Sequence, residues 1–308
     1  MSEETAHSLD KIPIVKYLVA FAKKIKLPWL EGLSLYDLLE LYISGIVKGA
    51  ISYKASAIAF SFFMALFPFA LFILNLIPYI PIDNFQGDFL HFVEDGVPPN
   101  TYDAIEKIIT DILNNSYKGL LSSGFILSIF LMANGVNAIL GGFESSSHIT
   151  ITRGFFRQYF LSVVLSLMLS VLLIVTVAAI VIFEVMIQRI KILNTVNDTI
   201  SLIEIGRFIF IILMILFTVS ILFKFGAKQT KQVPFISIGS VFTTILIIIS
   251  SYIFGIYVLK FAKYNELYGS IGTLLVLMFY IWINSMVLLL GFELNATINR
   301  LKRKNLYI

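Results

Sequence analysis

The chain has 308 residues, 58% of them hydrophobic, and a mean hydropathy of +0.90, which excludes a pair of ordinary soluble domains and places it in the membrane class. Its net charge of +4 comes from lysines and arginines spread over short polar intervals, a pattern that membrane orientation explains without a nucleic-acid partner. With no cysteine, it has no disulfide, thiolate metal site or cysteine nucleophile.

Residues 1–54 read as a cytoplasmic N-terminal segment. The start is polar, and residues 13–27 place Ile14, Tyr17, Leu18, Phe21, Ala22 and Ile25 on one helical face with lysines opposite. That is a basic amphipathic helix suited to lie on a membrane surface, too short and too charged to span it. After Pro28 and Trp29 the pattern repeats over 34–54, through Leu35, Leu38, Leu39, Tyr42, Ile43 and Ile46.

Six long apolar segments follow, at 56–77, 119–143, 159–187, 206–226, 234–261 and 268–295. About 20 residues at ~1.5 Å each cross the ~30 Å hydrocarbon core of a bilayer. Unbroken apolar runs of this length form helices, since a barrel would need short alternating strands. The fold class is therefore all-α and polytopic: a six-helix membrane domain over 55–299, amphipathic interfacial helices before it, and a basic tail over 300–308. The loop 78–118 is too long for a simple connection. Its prolines, Pro78, Pro81, Pro98 and Pro99, and the helical spacing of Ile105, Ile108, Ile109, Ile112 and Leu113 predict two short helices, either a lid or a packed cap.

The loops sort by charge. Sixteen of the 23 Lys and Arg residues fall on one side, including Lys11 to Lys54, Arg153, Arg157, Lys224, Lys228, Lys231 and Arg300 to Lys304. The other side holds seven, and its first loop is acidic, from Asp83 to Asp111. The positive-inside rule then puts both termini in the cytoplasm, which an even number of spans requires.

Chemistry has few footholds. His7, His91 and His148 lie far apart, so no metal cluster forms between sequence neighbours, and neither a metal nor a cofactor is expected. Gly141-Gly142 and Gly269-Ser270-Ile271-Gly272 follow no strand and lack a GK[ST], so they read as packing positions. Ser162, Ser166 and Ser170 share one helix face, as do Ser240, Thr244, Ser251 and Gly255, in both cases small residues suited to close helix contact. Charged residues stay near span ends: Lys54, Glu144 and Glu293 on the basic side, Glu184, Glu204, Arg207 and Lys260 on the other. Lys54 and Glu293 lie at similar depth and are candidates for a cytoplasmic ion pair. The middle of the membrane is neutral. Asn134, Asn137, Tyr280 and Asn284 are the candidates to line a cavity, and Pro68 to break a helix.

These residues carry a resemblance. Ala57 to Pro68 with the following VPP-containing loop, Tyr268-Gly269-Ser270-Ile271-Gly272, the closing Leu290-Gly291-Phe292-Glu293-Leu294-Asn295, and Arg153 with Phe155-Phe156-Arg157 resemble the YihY/BrkB family of bacterial inner-membrane proteins over roughly residues 35 to 300. The resemblance implies a six-helix fold in the cytoplasmic membrane and marks Pro68, Tyr268, Gly269, Gly272, Gly291 and Glu293 as motif positions. The family has also carried the label ribonuclease BN, which implies a metal-dependent nuclease whose ligands this sequence lacks. The expectation is a non-enzymatic, transporter- or flippase-like protein whose partners are the bilayer and a small solute or lipid-like amphiphile. The alternative is a membrane scaffold in envelope or lipid organisation. Oligomeric state is left open.

Overall fold

A computed structural model describes residues 21–26, 34–37, 40, 50–76, 86, 87, 89–91, 106, 109, 110, 118–145, 153–192, 197–226, 234–261 and 270–305. Six helices dominate: α1 Ala50–Leu76, α2 Lys118–Glu144, α3 Phe155–Ile192, α4 Asn197–Gly226, α5 Ile238–Phe261 and α6 Ser270–Asn305. Each is long and apolar enough to cross a membrane.

The helices outrun the apolar segments at several ends because polar residues continue a helix once it has left the lipid. Thus α3 extends back to Phe155 and on to Ile192, taking in Arg157, Arg189 and Lys191. Likewise α6 runs on to Asn305 and carries Arg300, Lys302, Arg303 and Lys304 in its last turns, where cations meet the negative end of the helix dipole. The opposite happens at α5, which starts four residues late. After Pro234, Ser237 and Ser240 cap each other, the Ser240 N–H donating to Ser237 Oγ at 3.1 Å and the Ser237 N–H to Ser240 Oγ at 2.9 Å. Pro68 lies inside α1, which continues beyond it to Leu76.

Of the amphipathic N-terminal stretches, the described part is helical at 21–24 and 35–37, with a short antiparallel bridge between Lys26 and Ser34 and a cap that opens the second stretch. There the Ser34 N–H donates to Asp37 Oδ2 at 2.7 Å and the Asp37 N–H to Ser34 Oγ at 3.3 Å. The rest of these stretches, most of the 78–118 loop, and Tyr268, Gly269, His7 and His148 lie outside the described residues; within that loop residues 86, 87, 89–91, 106, 109 and 110 are helical.

Sequence neighbours are neighbours in space, α1 on α2 and so on to α5 on α6, and α6 closes the ring on α1. The core is not spread evenly along this ring. It gathers at the basic end, where α1, α3 and α5 begin and α2, α4 and α6 finish. Phe143 of α2 stacks on Phe292 of α6 with centroids 4.0 Å apart, and Phe223 of α4 meets both edge-on at 5.6 and 5.7 Å. Residues 219–223 and 288–292 are buried without interruption, a state no lipid-facing helix shows on every side.

Candidate functional site

The closed end is tied by one arginine. Arg153, just ahead of α3, and Glu144, in the last turn of α2, form an ion pair at 3.2 Å with both side chains nearly buried. The carboxylate also accepts the Arg153 backbone N–H at 3.0 Å. The guanidinium then reaches α4, donating from Nη1 to the Gly226 carbonyl at 2.8 Å and from Nη2 to the Phe225 carbonyl at 3.0 Å. A helix leaves its last carbonyls without partners and its end partly negative, so a forked cation suits it on both counts. Burial lowers the Arg153 pKa from its ordinary value and Glu144 opposes the shift; the group stays cationic. Beside it Lys54 donates to the Ser145 carbonyl at 3.1 Å, and Glu293 is half-buried.

A second tie joins α5 to α6. Gly239 and Gly291 let the two backbones meet: a Cβ on Gly239 would lie 2.7 Å from the Gly291 carbonyl oxygen, and one on Gly291 would overlap Thr243 Oγ1. One turn beyond Gly291, Asn295 accepts the Gly239 N–H at 3.0 Å and donates to Ser237 Oγ at 2.7 Å. The Leu290 to Asn295 stretch is thus a docking motif, a glycine for close approach and an asparagine that caps the neighbouring helix.

Away from these ties the ring flares at α4, α5 and α6. Val219, Phe223 and Gly226 form the inward stripe of α4, since Phe223 and Gly226 meet Phe143. Followed back at helical spacing, that stripe becomes Ile212, Phe208 and Ile205, and Ile212 and Phe208 are 40% and 61% exposed. The stripe of Ser162, Leu165, Ser166 and Leu169 on α3 is buried; Leu172 still packs on the core, Leu173 beside it is 42% exposed, and Ile187 farther along the same face is buried again. On α6, Ser285, Leu289 and Phe292 give way to Met278 and Leu274. Gly255, eleven residues past the buried Thr244 on one face of α5, has open space where a Cβ would sit. Across 203–218, 245–258 and 274–284 no residue is fully buried, so α4, α5 and α6 lack there the covering they have at the basic end, whereas α2 stays buried as far as Ser128 and α3 is buried again at Val181 and Ile187.

The polar residues of the mid-membrane zone hold seams between neighbours. Asn137 Oδ1 accepts from Gln158 Nε2 at 3.1 Å and Ser162 Oγ at 3.4 Å, joining α2 to α3. Ser170 donates to Met132 Sδ at 3.3 Å on the same seam. Tyr280 and Ser251 share a hydrogen bond of 2.7 Å, and Ser250 donates to Asn284 Oδ1 at 3.3 Å, joining α5 to α6. Trp282 donates to Ser56 Oγ at 3.1 Å across the α6–α1 closure. Asn134 is half-buried, makes no hydrogen bond among the described residues, and shares a face with the exposed Leu127 and Phe130. Gly272 is buried. Among the described residues, Ser220 Oγ is buried without a hydrogen-bond partner.

Sequence reasoning paired Lys54 with Glu293 and did not pair Arg153 with Glu144. The signal was present, opposite charges nine residues apart at two adjoining helix ends. The Asn295 cap, which bridges 56 positions, left none.

A profile of the family described as virulence factor BrkB matches residues 43–306. The chain belongs to the BrkB family. Among its relatives, the ribonuclease-like protein YfkH of Bacillus subtilis (strain 168) is 30% identical over 252 residues, 81% of this chain and 90% of the relative. The UPF0761 membrane protein NT05HA_1801 of Aggregatibacter aphrophilus (strain NJ8700) is 20% identical over 260 residues, 84% and 91% of the two chains. No solved structure matches. The BrkB match takes in all six helices, both ties and the flare, and of the described N-terminal residues it omits those before Ala50.

Proposed function

We propose that this BrkB-family protein is a carrier, transporter- or flippase-like, that moves a small organic solute or lipid-like amphiphile across the cytoplasmic membrane or between its leaflets. The observation that supports it is the asymmetry of the ring, packed and tied at the basic end and uncovered along α4, α5 and α6 toward the other. A carrier caught facing one side has this shape, whereas a scaffold needs no opening. The charge distribution supports cytoplasmic termini, so the opening faces outward. Exchange would require the basic end to loosen, and the groups that resist this are the Arg153–Glu144 tie and the three phenylalanines.

The ribonuclease-like name of YfkH is not carried over. Metal-activated hydrolysis needs three or four converging ligands, and among the described residues no three His, Asp or Glu side chains form such a group. Reconstitution tests the reading: the full chain in liposomes, with a panel of radiolabelled organic solutes and fluorescent lipids. Faster movement of one class than in protein-free vesicles is the expected result. No acceleration across the panel would return the scaffold.

A further inference from the structure

Resting on that carrier reading, we infer that the occupant of the flare is an acyl chain of a bilayer phospholipid, so that the amphiphile and not a polar solute is the cargo. The wall is the first reason. Leu173, Ile205, Phe208, Ile212, Leu274 and Met278 continue the inward stripes of three helices, and apart from the weakly accepting thioether of Met278 none of them can donate or accept a hydrogen bond. A polar solute there would leave its hydration behind with nothing to replace it, a cost of several kcal/mol for each unpaired group. A hydrocarbon chain loses nothing on the same wall.

The second reason is where the polar side chains go. Asn137, Tyr280, Asn284, Ser162 and Ser170 are all held at seams, and Thr176, on the inward side of α3, donates back to the Leu172 carbonyl at 2.7 Å. These side chains are engaged at seams or with their own helix, and Asn134, which makes no hydrogen bond among the described residues, lies on the opposite face of α2 from Phe143, with the exposed Leu127 and Phe130.

Depth is the third. From Ile205 to the first buried member of its stripe, Val219, is fourteen residues, ~21 Å along the helix. That exceeds half of the ~30 Å hydrocarbon core, so a chain lying on this wall reaches past the bilayer midplane. The charges of α4, Glu204 and Arg207, stand at the mouth, with Arg207 over the Phe208 ring at 5.8 Å, so a headgroup stays at their level while the chain enters.

Because the natural chain has no cysteine, single nitroxides can be placed without other changes. Labels go at Leu173, Phe208 and Leu274 on the wall and at Val219 and Phe223 in the packed end, with the full chain in phosphatidylethanolamine–phosphatidylglycerol vesicles. Collision with molecular oxygen reads hydrocarbon, and collision with the nickel complex of ethylenediaminediacetate reads water. The expected result is high oxygen and low nickel access on the wall, and low access to both at the packed end. High nickel access on the wall would overturn the acyl chain and leave the carrier reading standing with a water-borne cargo. Low access to both on the wall would mean that the chain covers itself there, and would overturn the two readings together. A phosphatidylglycerol carrying a diazirine in its acyl chain then separates a site from bulk bilayer. Marking of Phe208 and Leu274 that saturates as the labelled lipid is raised supports the inference, and marking in simple proportion to it counts against.

Discussion

Two residues test how this protein handles polarity away from water. Arg153→Ala leaves the Glu144 carboxylate buried and returns two α4 carbonyls to their unpaired state, so the loss should be about 3–5 kcal/mol, the range for breaking one side of a buried pair. Glu144→Gln should cost less, because an amide oxygen still accepts, and the double variant should recover part of the arginine loss. Thermal unfolding in detergent measures all three, and an Arg153→Ala melting point equal to the parent's would show that the tie holds nothing. Ser220→Ala works in the other direction. Its hydroxyl is buried and unpartnered, a burden of about 1–3 kcal/mol, so its removal should raise the melting temperature. A fall would reveal a partner for that hydroxyl. At this scale the sequence was legible where partners are close: the serines of α3 four apart predict one face, and one face is what they form. Asn284 and Tyr280 stood out as mid-membrane polar residues, but Ser250 and Ser251, which engage them, sit about thirty positions upstream on another helix, and no local pattern announces such a partner.

Among elements, the α5–α6 crossing makes the sharpest demand. Gly291→Ala puts a Cβ onto Thr243, with Thr243 Cβ itself only 3.0 Å away, and should destabilise the fold by about 1–3 kcal/mol. Thr243→Ala in the same chain should relieve much of that. Gly255→Ala is the matched control, since its Cβ enters open space and alanine favours a helix over glycine by about 1 kcal/mol. Melting temperatures of the four chains decide it, and equal losses at Gly291 and Gly255 would remove the crossing from the argument. The spans themselves were readable because twenty apolar residues have few alternatives in a bilayer. Their ends were not, because Arg157 or Lys302 prolong a helix in water as readily as a loop would end it.

At the level of the whole molecule the topology follows from counting. A reporter active only in the cytoplasm should work when fused after Ile308, and a periplasmic alkaline phosphatase at the same place should be silent; an active phosphatase would invert the protein. The flare had no such signature. Phe208 and Ile212 continue the stripe of Val219 and Phe223, and Leu213 and Phe217 lie on its flank, Phe217 against Phe235; all four are large, apolar and part exposed, so a greasy helix looks the same from its sequence whether its inner side is covered or bare. Composition tells a chain that it belongs in lipid and says little about whether the lipid stops at its outer surface.

The position of Arg153 also has a meaning in the order of synthesis. It comes nine residues after its carboxylate and 73 before the carbonyl that it finally holds. The hairpin of α2 and α3 can therefore be complete, its cation already neutralised, while α4 is still being made. What then enters the membrane is a helix whose last nineteen residues carry a single charge, Lys224, and which has little of its own to say how deep it should sit. The waiting N–H groups of the guanidinium supply that missing mark. A helix that stopped one residue short would be ~1.5 Å too high and turned by about 100°, its end off the arginine or its phenylalanine out of the stack. In that sense the arginine works as a depth gauge, set by the second and third helices and read by the fourth.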